Sequence, residues 1–337
     1  GEKWFPGGNF DITDSVIPGK KHRLTLLVTA RPLEAEKKVF MAPDRVIASK
    51  AVVKLKGITG DLFLYSEPKT NSITDVHVIT SVSEKKITFK IKVARVIPGN
   101  YFLSSEIFDA SNKQIKFFKS DKIVFSDEND TYILSDERKD PLLWDTNAPH
   151  NRYSTKITLQ NEKGEKIDEF FPVKFGFREF KIDGKNFFLN GKLIRLRALW
   201  VNSIADFADK CDFSAGINLC KRMKAYGFNF FITGNYDFAP GDVSYMDSIL
   251  EAADQSGILL SFSLPHVKNF DWFNNESAVK SYAEITEWLI SRVKNHPSII
   301  MYAMNHNANG YHGDQNPLKL DGTYMPERLK SEIEKGK

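Results

Sequence analysis

Aromatic and polar residues follow short apolar runs in the second half of the chain. The candidate binding residues are Trp200 and Asn202 after the first run, Asn235, Tyr236 and Asp237 after the second, and His266, Asp271 and Trp272 after the third. Aromatic rings offer a flat face on which the C–H groups of a sugar can stack, and polar side chains can bond its hydroxyls. The alternatives are helix packing for Trp200 and a loop or core position for His266. The pattern favours a carbohydrate-binding site.

These apolar runs alternate with helix-like segments after about residue 180. The predicted strands are Leu193–Leu199, Asn229–Thr233, Ile258–Leu264 and Ile299–Met304, and the predicted helices run from Gly216 to Tyr226, Val243 to Gln255 and Ala278 to Lys294. Gly227 and Gly257 follow the first two helices as C-terminal caps do, and Pro297 prevents continuation of the third. The repeat of about 30 residues predicts half of a (β/α)8 barrel. The candidate residues would then lie at the carboxyl ends of its strands, where the sites of such barrels are found. An open doubly wound sheet is the alternative, although no glycine-rich phosphate loop follows any strand.

The first 180 residues are typical of β-structure. Short runs rich in Val, Ile, Thr and Phe predict strands at Arg23–Thr29, Asp61–Tyr65, Asp75–Thr80, Lys86–Val93, Tyr101–Asp109 and Ser154–Leu159. Turn signals such as Pro98-Gly99 and Lys163-Gly164 separate these runs. Strands of this length and spacing favour β-sandwich domains.

Length and charge limit the class of protein. A chain of 337 residues should divide into two or three domains. Its 47 basic and 43 acidic residues are spread along the sequence without a long run of one sign, so we expect no nucleic-acid partner. The sequence contains no apolar stretch of about 18 residues, so we expect no membrane-spanning helix. Cys211 and Cys220 are badly spaced for a disulfide or a metal site, and we expect neither a metal nor another cofactor.

Several motifs together resemble glycoside hydrolase family 2, the β-galactosidase and β-glucuronidase group. They are Phe10-Asp11-Ile12-Thr13, Gly57-Ile58-Thr59-Gly60-Asp61-Leu62-Phe63-Leu64, Leu143-Trp144-Asp145, Phe175-Gly176-Phe177-Arg178, Phe188-Leu189-Asn190-Gly191-Lys192, Gly227-Phe228-Asn229 and Asn295-His296-Pro297-Ser298. The motifs occur in the family's order along nearly the whole chain. The resemblance implies a multi-domain β plus α/β fold that forms an internal piece of such a protein.

The resemblance also implies three domains. Residues 1–66 would be the C-terminal part of a jelly-roll sugar-binding domain, and residues 67–178 an immunoglobulin-like β-sandwich. Residues 179–337 would be the N-terminal half of a TIM barrel, with strands 1 to 4. We expect an open half-barrel of this kind to self-associate, because it exposes strand edges and an apolar face.

The family's catalytic acid/base is the Glu of an Asn-Glu pair after barrel strand 4. In this chain the corresponding positions are His306 and Asn307, and an amide cannot donate a proton as a carboxylic acid does. The family's nucleophile would come after strand 7, beyond Lys337. Three accounts remain open: the acid role has moved to Asp314, His306 or His312, the barrel binds glycans without cleaving them, or the leaving group needs no acid. Asn307 could also simply cap its loop.

The resemblance implies a protein that acts on β-linked carbohydrate, either a retaining β-glycosidase or a catalytically altered relative. The alternative is a non-catalytic glycan-binding or scaffold protein. The family has His where Asn235 stands, so contacts with the substrate would differ there. Family members are commonly periplasmic or extracellular, and we expect the same here.

Other charged residues have structural interpretations. His296 precedes strand 4, at the end of the barrel away from catalysis, so we interpret it as structural. Among Arg178, Arg195 and Arg197, we expect buried ion pairs for at least two. Arg197 is a weak site candidate because the pattern places it near the carboxyl end of strand 1.

Overall fold

The computed structural model describes residues 10–27, 37–38, 46–47, 64–126, 130–201, 213–233, 242–264 and 276–303. These residues are mostly β-sheet, with three α-helices among them. A short 3-10 helix lies at Thr13–Ser15. The first two strands, β1 (Lys37–Lys38) and β2 (Val46–Ile47), pair antiparallel with each other. No helix within the described ranges is long and apolar enough to cross a membrane.

Two antiparallel sheets form the middle of the chain. Their strands are β3 (Ser72–Ser81), β4 (Lys86–Ala94), β5 (Gly99–Phe108), β6 (Gln114–Lys119), β7 (Ile123–Phe125), β8 (Thr131–Glu137), β9 (Arg152–Asn161) and β10 (Lys166–Gly176). One sheet has the order β3-β4-β8, and the other has the order β10-β9-β5-β6 with β7 also paired to β5.

The two antiparallel sheets share one apolar core. Phe89 and Ile91 of β4 are buried in the same cluster as Leu103 of β5 and Ile157 of β9. Lysines alternate with these apolar residues along β4 and remain exposed, as the period-two pattern requires. The strands predicted at Asp75–Thr80, Lys86–Val93, Tyr101–Asp109 and Ser154–Leu159 are confirmed in position, with the third ending at Phe108.

A small meander connects these sheets to the rest of the chain. Its strands are β11 (Phe180–Asp183), β12 (Asn186–Leu189) and β13 (Lys192–Ile194). Asn190 and Gly191 both have positive φ, which a two-residue turn between strands β12 and β13 requires.

A four-stranded parallel sheet follows. Its elements are β14 (Ala198–Val201), α1 (Phe213–Ala225), β15 (Phe230–Thr233), α2 (Asp242–Ser256), β16 (Leu259–Ser263), α3 (Glu276–Val293) and β17 (Ile299–Ala303). The strand order is β14-β15-β16-β17, and every pairing is parallel. The alternation of strand and helix is therefore confirmed, with each helix end within a few residues of its predicted position.

The parallel sheet is buried on both faces. Phe231 and Phe262 pack against the helices, whereas Phe230 and Leu259 pack on the opposite face against Trp144. A strand that is buried on both faces needs apolar residues at consecutive positions, which explains the nearly continuous apolar runs in the sequence.

The strand predicted at Arg23–Thr29 was wrong in its described part. Residues 23–27 form no strand, and Leu24, Leu26 and Leu27 are exposed. A strand needs a hydrogen-bonded neighbour, and this segment has none in the described part of the chain. Of the run predicted at Asp61–Tyr65, residues 64 and 65 are not in a strand and the others lie outside the described residues.

The strand predicted at Leu193–Leu199 is two separate strands. Residues 195–197 separate β13 from β14 where the chain passes from the meander to the parallel sheet. The side chain of Asn229 bridges this break: its Oδ1 accepts from the Arg197 backbone N–H at 2.8 Å and its Nδ2 donates to the Arg195 carbonyl at 3.0 Å. An apolar pattern cannot reveal a break that is bridged by a side chain from a distant part of the chain.

Candidate functional site

The four parallel strands end at one common edge of their sheet. Val201 pairs with Thr233, and Ser263 pairs with Ala303, so the last residues of neighbouring strands are side by side. Each of these strands is followed directly by a segment that carries predicted site residues. Those residues are Asn202, Asn235, Tyr236, Asp237, His266, Asp271, Trp272, His306, Asn307 and Asp314, and all of them lie outside the described residues.

Among the predicted sugar-binding residues, Trp200 is the one whose backbone is described. It lies in β14, next to the last residue of that strand, and pairs with Ile232 of β15. The sequence placed Trp200 after the first strand, whereas the structure places it within that strand, and its role in binding stays a prediction.

Buried hydroxyl groups lie at this carboxyl edge. Thr233 ends β15 and Ser263 ends β16, and both side chains are buried. The Ser263 backbone N–H donates to the Thr233 hydroxyl at 2.9 Å, and the Ser263 hydroxyl donates to the Thr233 carbonyl. Ser261 is buried two residues earlier on β16. These polar groups tie adjacent strand ends together, and the sequence signalled them only as hydroxyl residues within apolar strands.

Proton transfer at this edge must rely on residues outside the four strands themselves. No Asp, Glu or His occurs in β14, β15, β16 or β17. The titratable side chain on β17 is Tyr302, and burial raises the pKa of its phenol although Arg178 opposes this. Tyr302 therefore stays protonated near neutral pH. The strands can provide hydrogen bonds and an apolar surface. Acid or base catalysis by a carboxyl group would require the segments that follow the strands.

The opposite, amino-terminal edge of the sheet carries a pair of a histidine and a carboxylate. His296 lies in the turn before β17, and its Nδ1 is 2.6 Å from Oδ2 of Asp254 on α2. The other carboxylate oxygen of Asp254 accepts from the Ser298 backbone N–H at 3.0 Å. Trp144 donates from its indole N–H to the Asp254 carbonyl at 3.0 Å. The structural interpretation of His296, away from the candidate site, is confirmed.

The arginine predictions need two corrections. Arg178 forms no ion pair with any described residue but donates to the backbone carbonyls of Pro297, at 2.9 Å, and of Ile299. Main-chain carbonyls thus replace the expected carboxylate partner. Arg197 precedes β14 and donates to the Gly227 carbonyl, so it lies at the amino-terminal edge and not at the predicted carboxyl end. The strand begins later than its apolar pattern indicates, which moved Arg197 to the other edge.

No group of three metal-binding side chains occurs in the part of the chain that the structure describes. Cys220 is a free, buried thiol on α1, and burial raises its pKa to about 11. A thiol with this pKa stays protonated and is a poor nucleophile. Cys211 lies outside the described residues.

Comparison with known proteins identifies the middle of the chain. The family model described as "Glycosyl hydrolases family 2" matches residues 71–178. The chain is similar to the family 2 glycosyl hydrolases. The matched region contains the two antiparallel sheets and ends at Arg178, immediately before the meander that leads to the parallel sheet. The resemblance drawn from the motifs is thus confirmed.

Curated relatives extend the likeness to most of the family 2-like chain. A β-galactosidase of Clostridium acetobutylicum is 24% identical over 90% of this chain and 33% of the relative. The human β-glucuronidase is 24% identical over 74% of this chain and 36% of the relative. A β-glucuronidase of Paenibacillus borealis is 25% identical over 46% of this chain and 27% of the relative. The chain thus spans about a third of the length of such relatives.

Solved structures show the same fold. A glycosyl hydrolase family 2 member from Bacteroides cellulosilyticus superposes with a TM-score of 0.53 and 22% identity, covering 69% of this chain and 31% of that protein. The β-glucuronidase of Bacteroides uniformis gives a TM-score of 0.50 and 24% identity, covering 68% of this chain and 27% of that protein.

Proposed function

We propose that this chain belongs to a β-glycosidase of the family 2 type, or to a catalytically altered relative, that acts on β-linked carbohydrate. The observation that carries the proposal is the common carboxyl edge of β14 to β17, where every strand is followed by aromatic and polar residues. Ligand sites of parallel α/β sheets and barrels lie at this edge. The names of the relatives suggest a glucuronide or a galactoside as the sugar.

The proposal includes a division into domains. Residues 67–178 would be an immunoglobulin-like sandwich, which the two antiparallel sheets with one core support. Residues 179–337 would carry barrel strands 1 to 4, which the four parallel strands with intervening helices support. Residues 1–66 would be part of a jelly-roll domain. Because β14 and β17 are the outer strands of the described sheet, self-association through them is also proposed, and sedimentation over a range of concentrations tests it.

Catalysis would depend on what replaces the missing carboxyl group at position 307. A retaining glycosidase uses two carboxyl groups about 5–5.5 Å apart, one as nucleophile and one as acid/base. Asn307 can hold a sugar hydroxyl but cannot protonate a leaving group. We therefore propose either that Asp314, His306 or His312 has taken the acid role, or that only substrates with a good leaving group are cleaved.

Asn307 also favours a second candidate function, a glycan-binding protein without hydrolytic activity. Loss of the acid/base would abolish turnover of ordinary glycosides and leave the aromatic and polar side chains that hold the sugar. Trp200, Tyr236 and Trp272 would then stack on the sugar, and Asn202, Asn235, Asp237, His266 and Asp271 would bond its hydroxyls.

Hydrolysis of nitrophenyl β-glycosides, with and without azide, tests the proposal. The substrates are incubated with this chain and with the full product of its gene. Nitrophenolate leaves without protonation, so an enzyme that lacks only its acid still forms the glycosyl-enzyme, and azide then releases the sugar without a base. Turnover that rises with azide supports a glycosidase. Sugar binding without turnover supports the second candidate, and the absence of both overturns the proposal.

A pair of substitutions sharpens this experiment. In the full gene product, Asn307→Glu should raise hydrolysis of alkyl β-glycosides, whose leaving groups need an acid, by about 100-fold or more. Asn305→Glu is the matched control, because it adds the same carboxyl group two residues earlier and should have no such effect. Equal gains in both variants would mean that position 307 is not the acid/base position.

A further inference from the structure

The turn before β17 is held by the antiparallel sheets through Asn295. The side-chain Nδ2 of Asn295 donates to the Val76 carbonyl at 2.8 Å, and its Oδ1 accepts from the Val78 backbone N–H at 2.9 Å. One amide group thereby bonds both a donor and an acceptor of β3, as a neighbouring strand would. Lys294 adds an ion pair with Asp75 on the same strand, and its side chain is only 9% exposed. The turn is therefore fixed relative to β3.

Arg178, which follows β10, makes a second connection between β3 and the start of β17. Its backbone carbonyl accepts from the Thr80 hydroxyl of β3 at 2.9 Å. Its guanidinium donates to the carbonyls of Pro297 and Ile299 at the start of β17. Burial lowers the pKa of this guanidinium, which nevertheless stays charged because its ordinary pKa is so high. The charged, planar guanidinium of a residue bonded to β3 thus bonds one carbonyl of the turn before β17 and one of β17 itself.

The Ile299 carbonyl lies on the side of β17 that β16 does not use. In a strand, alternate carbonyls point in opposite directions. The Ser298 carbonyl, directly before β17, accepts from the Leu260 N–H of β16 at 2.9 Å, so the Ile299 carbonyl points away from β16. Arg178 occupies, at Ile299, the place that an N–H group of a further strand would take.

Close packing limits movement in the same region. A Cβ atom placed on Gly176 would lie 2.6 Å from Cβ of Pro297 and 2.8 Å from Cβ of Trp144. The absence of a side chain at Gly176 therefore allows the last residues of β10 to touch the turn before β17. Hydrogen bonds from Asn295 and Arg178 add direction to this contact, which packing alone does not provide.

We propose that Arg178 and Asn295 are positioning residues that fix β17 along its own axis and so set where the chain leaves the sheet after Ala303. Since a strand advances about 3.3 Å per residue and alternates its faces, even a partial slip would misplace the segment that carries position 307. At the far end of β17, the Leu264 N–H donates to the Ala303 carbonyl at 2.9 Å, and the same slip would disturb this bond. The inference rests on the proposed function only in placing a site at this edge.

Methyl spectra of the folded protein test the positioning role. Met301 lies on β17, whereas Met223 is buried on α1 among the helices and serves as the internal reference. The protein is labelled with ¹³C at the methionine methyl groups, and Met301→Leu assigns the reporter. The test variants are Arg178→Gln and Asn295→Asp. The matched control is Arg95→Gln, because Arg95 is an exposed arginine that bonds Glu67 and the Pro68 carbonyl away from this turn.

Both test variants should shift the Met301 methyl resonance by more than its linewidth and leave Met223 in place, and the control should shift neither. The resonance of the native state reports geometry and not stability, so a merely stabilising role would lower the unfolding midpoint without moving Met301. That result in the folded variants would overturn the inference. If Arg178→Gln does not fold, the result for Asn295→Asp alone tests the inference. Its carboxylate can still accept from the Val78 N–H, but it places a second acceptor opposite the Val76 carbonyl and so removes that hydrogen bond.

A separate sugar titration keeps this result distinct from the proposed function. The Met301 measurement needs no ligand, so it can succeed or fail whether or not the protein binds a glycan. Where the wild-type chain binds one of the β-glycosides, the two variants should bind it about tenfold more weakly, because a small misplacement of site groups is costly. Unchanged affinity together with a shifted Met301 would overturn the link between β17 and the site.

Discussion

His296 connects the turn before β17 to α2 through the carboxylate of Asp254. Burial by itself lowers the pKa of the imidazole, but the charge and the hydrogen bond of Asp254 outweigh burial, and Glu251 and Asp247 act in the same direction. The pKa of His296 is therefore raised above its usual 6.5. The ionic attraction in this pair stabilises the fold only while the imidazole carries its second proton, whereas the neutral ring can still donate a hydrogen bond from Nδ1.

The stability of the protein should consequently depend on His296 in a defined pH range. The contribution of the pair is fully present below pH 6.5, the unfolded value, and is lost as the pH rises through the higher folded pKa. His296→Gln should therefore destabilise the protein at pH 6, by about 1–3 kcal/mol, and much less at alkaline pH. Urea denaturation of both proteins across this range measures the difference.

His77 provides a control of opposite sign. Burial and then the positive charge of Lys294 lower the pKa of His77. Its folded form therefore resists protonation, and the protein loses stability as the pH falls below 6.5 through the lowered value. His77→Gln should remove that loss of stability at acidic pH and leave the stability at alkaline pH unchanged.

Identical pH profiles for wild type and His296→Gln would contradict the role assigned to the His296 pair.

At the residue scale, the sequence predicted the position of His296 but not its partner. The motif Asn295-His296-Pro297 marks the end of a helix and the start of a strand, so the amino-terminal location followed directly. Asp254 is separated from His296 by α3, and no local pattern connects them. The ion pair expected for Arg178 was wrong for the same reason, because its actual partners are backbone carbonyls 119 and 121 residues away, which carry no sequence signature. Partners set by tertiary contact require the structure.

The helix ends offer a comparison between two similar elements. Gly227 follows α1 and Gly257 follows α2, with φ of +82° and +67°. Both glycines adopt the left-handed conformation that ends a helix and that a side chain disfavours. Their surroundings differ: a Cβ atom on Gly227 would meet nothing within 4 Å, whereas a Cβ atom on Gly257 would lie 2.4 Å from the Thr146 carbonyl oxygen.

Alanine at the two positions should therefore have unequal effects. Gly227→Ala should cost about 1 kcal/mol of unfolding free energy from backbone strain alone. Gly257→Ala should cost at least about 2 kcal/mol, because backbone of Thr146 must also move away from α2. Urea denaturation midpoints measure both variants against wild type. A smaller loss for Gly257→Ala than for Gly227→Ala would show that the contact with Thr146 is not tight.

The same glycines show why some elements were predictable and others were not. A helix of the parallel sheet combines a periodic apolar face with a glycine at its end, and both signals are local. Strands depend on a partner elsewhere in the chain. Lys86–Val93 has alternating apolar residues and pairs on both sides, whereas residues 23–27 are equally apolar and form no strand. Pairing, and not composition, decided between them.

At the scale of the whole molecule, two separate cores meet at one junction. The antiparallel sheets bury one cluster, and the parallel sheet with its helices buries another. Between them lies the contact of Trp144 with Phe230 and Leu259, where the indole is fully buried. Ion pairs border this contact, including Arg152 with Glu251 at 2.8 Å. The candidate site lies at the opposite edge of the parallel sheet, so the junction supports the site without forming it.

The contacts across this junction should make the two cores unfold together. We expect one calorimetric transition for the wild-type chain, with equal calorimetric and van't Hoff enthalpies. Replacing Arg152 by Gln and Asn295 by Ala removes the contacts of both residues across the junction while both cores stay intact. This variant should show two transitions, because each core then unfolds at its own temperature.

The matched control places the same chemical changes inside one core. Lys156→Gln with Asn161→Ala removes ion pairs and turn contacts within the five-stranded sheet, on β9. It should lower the temperature of a single transition without dividing it, since the junction is intact. If the junction variant also keeps a single transition, the contacts that remain across the junction, including the buried contact of Trp144 and the hydrogen bonds of Arg178, are enough to couple the two cores. Because Asn295 also bonds β3, that outcome would show that Asn295 contributes little to the connection between β3 and the turn before β17.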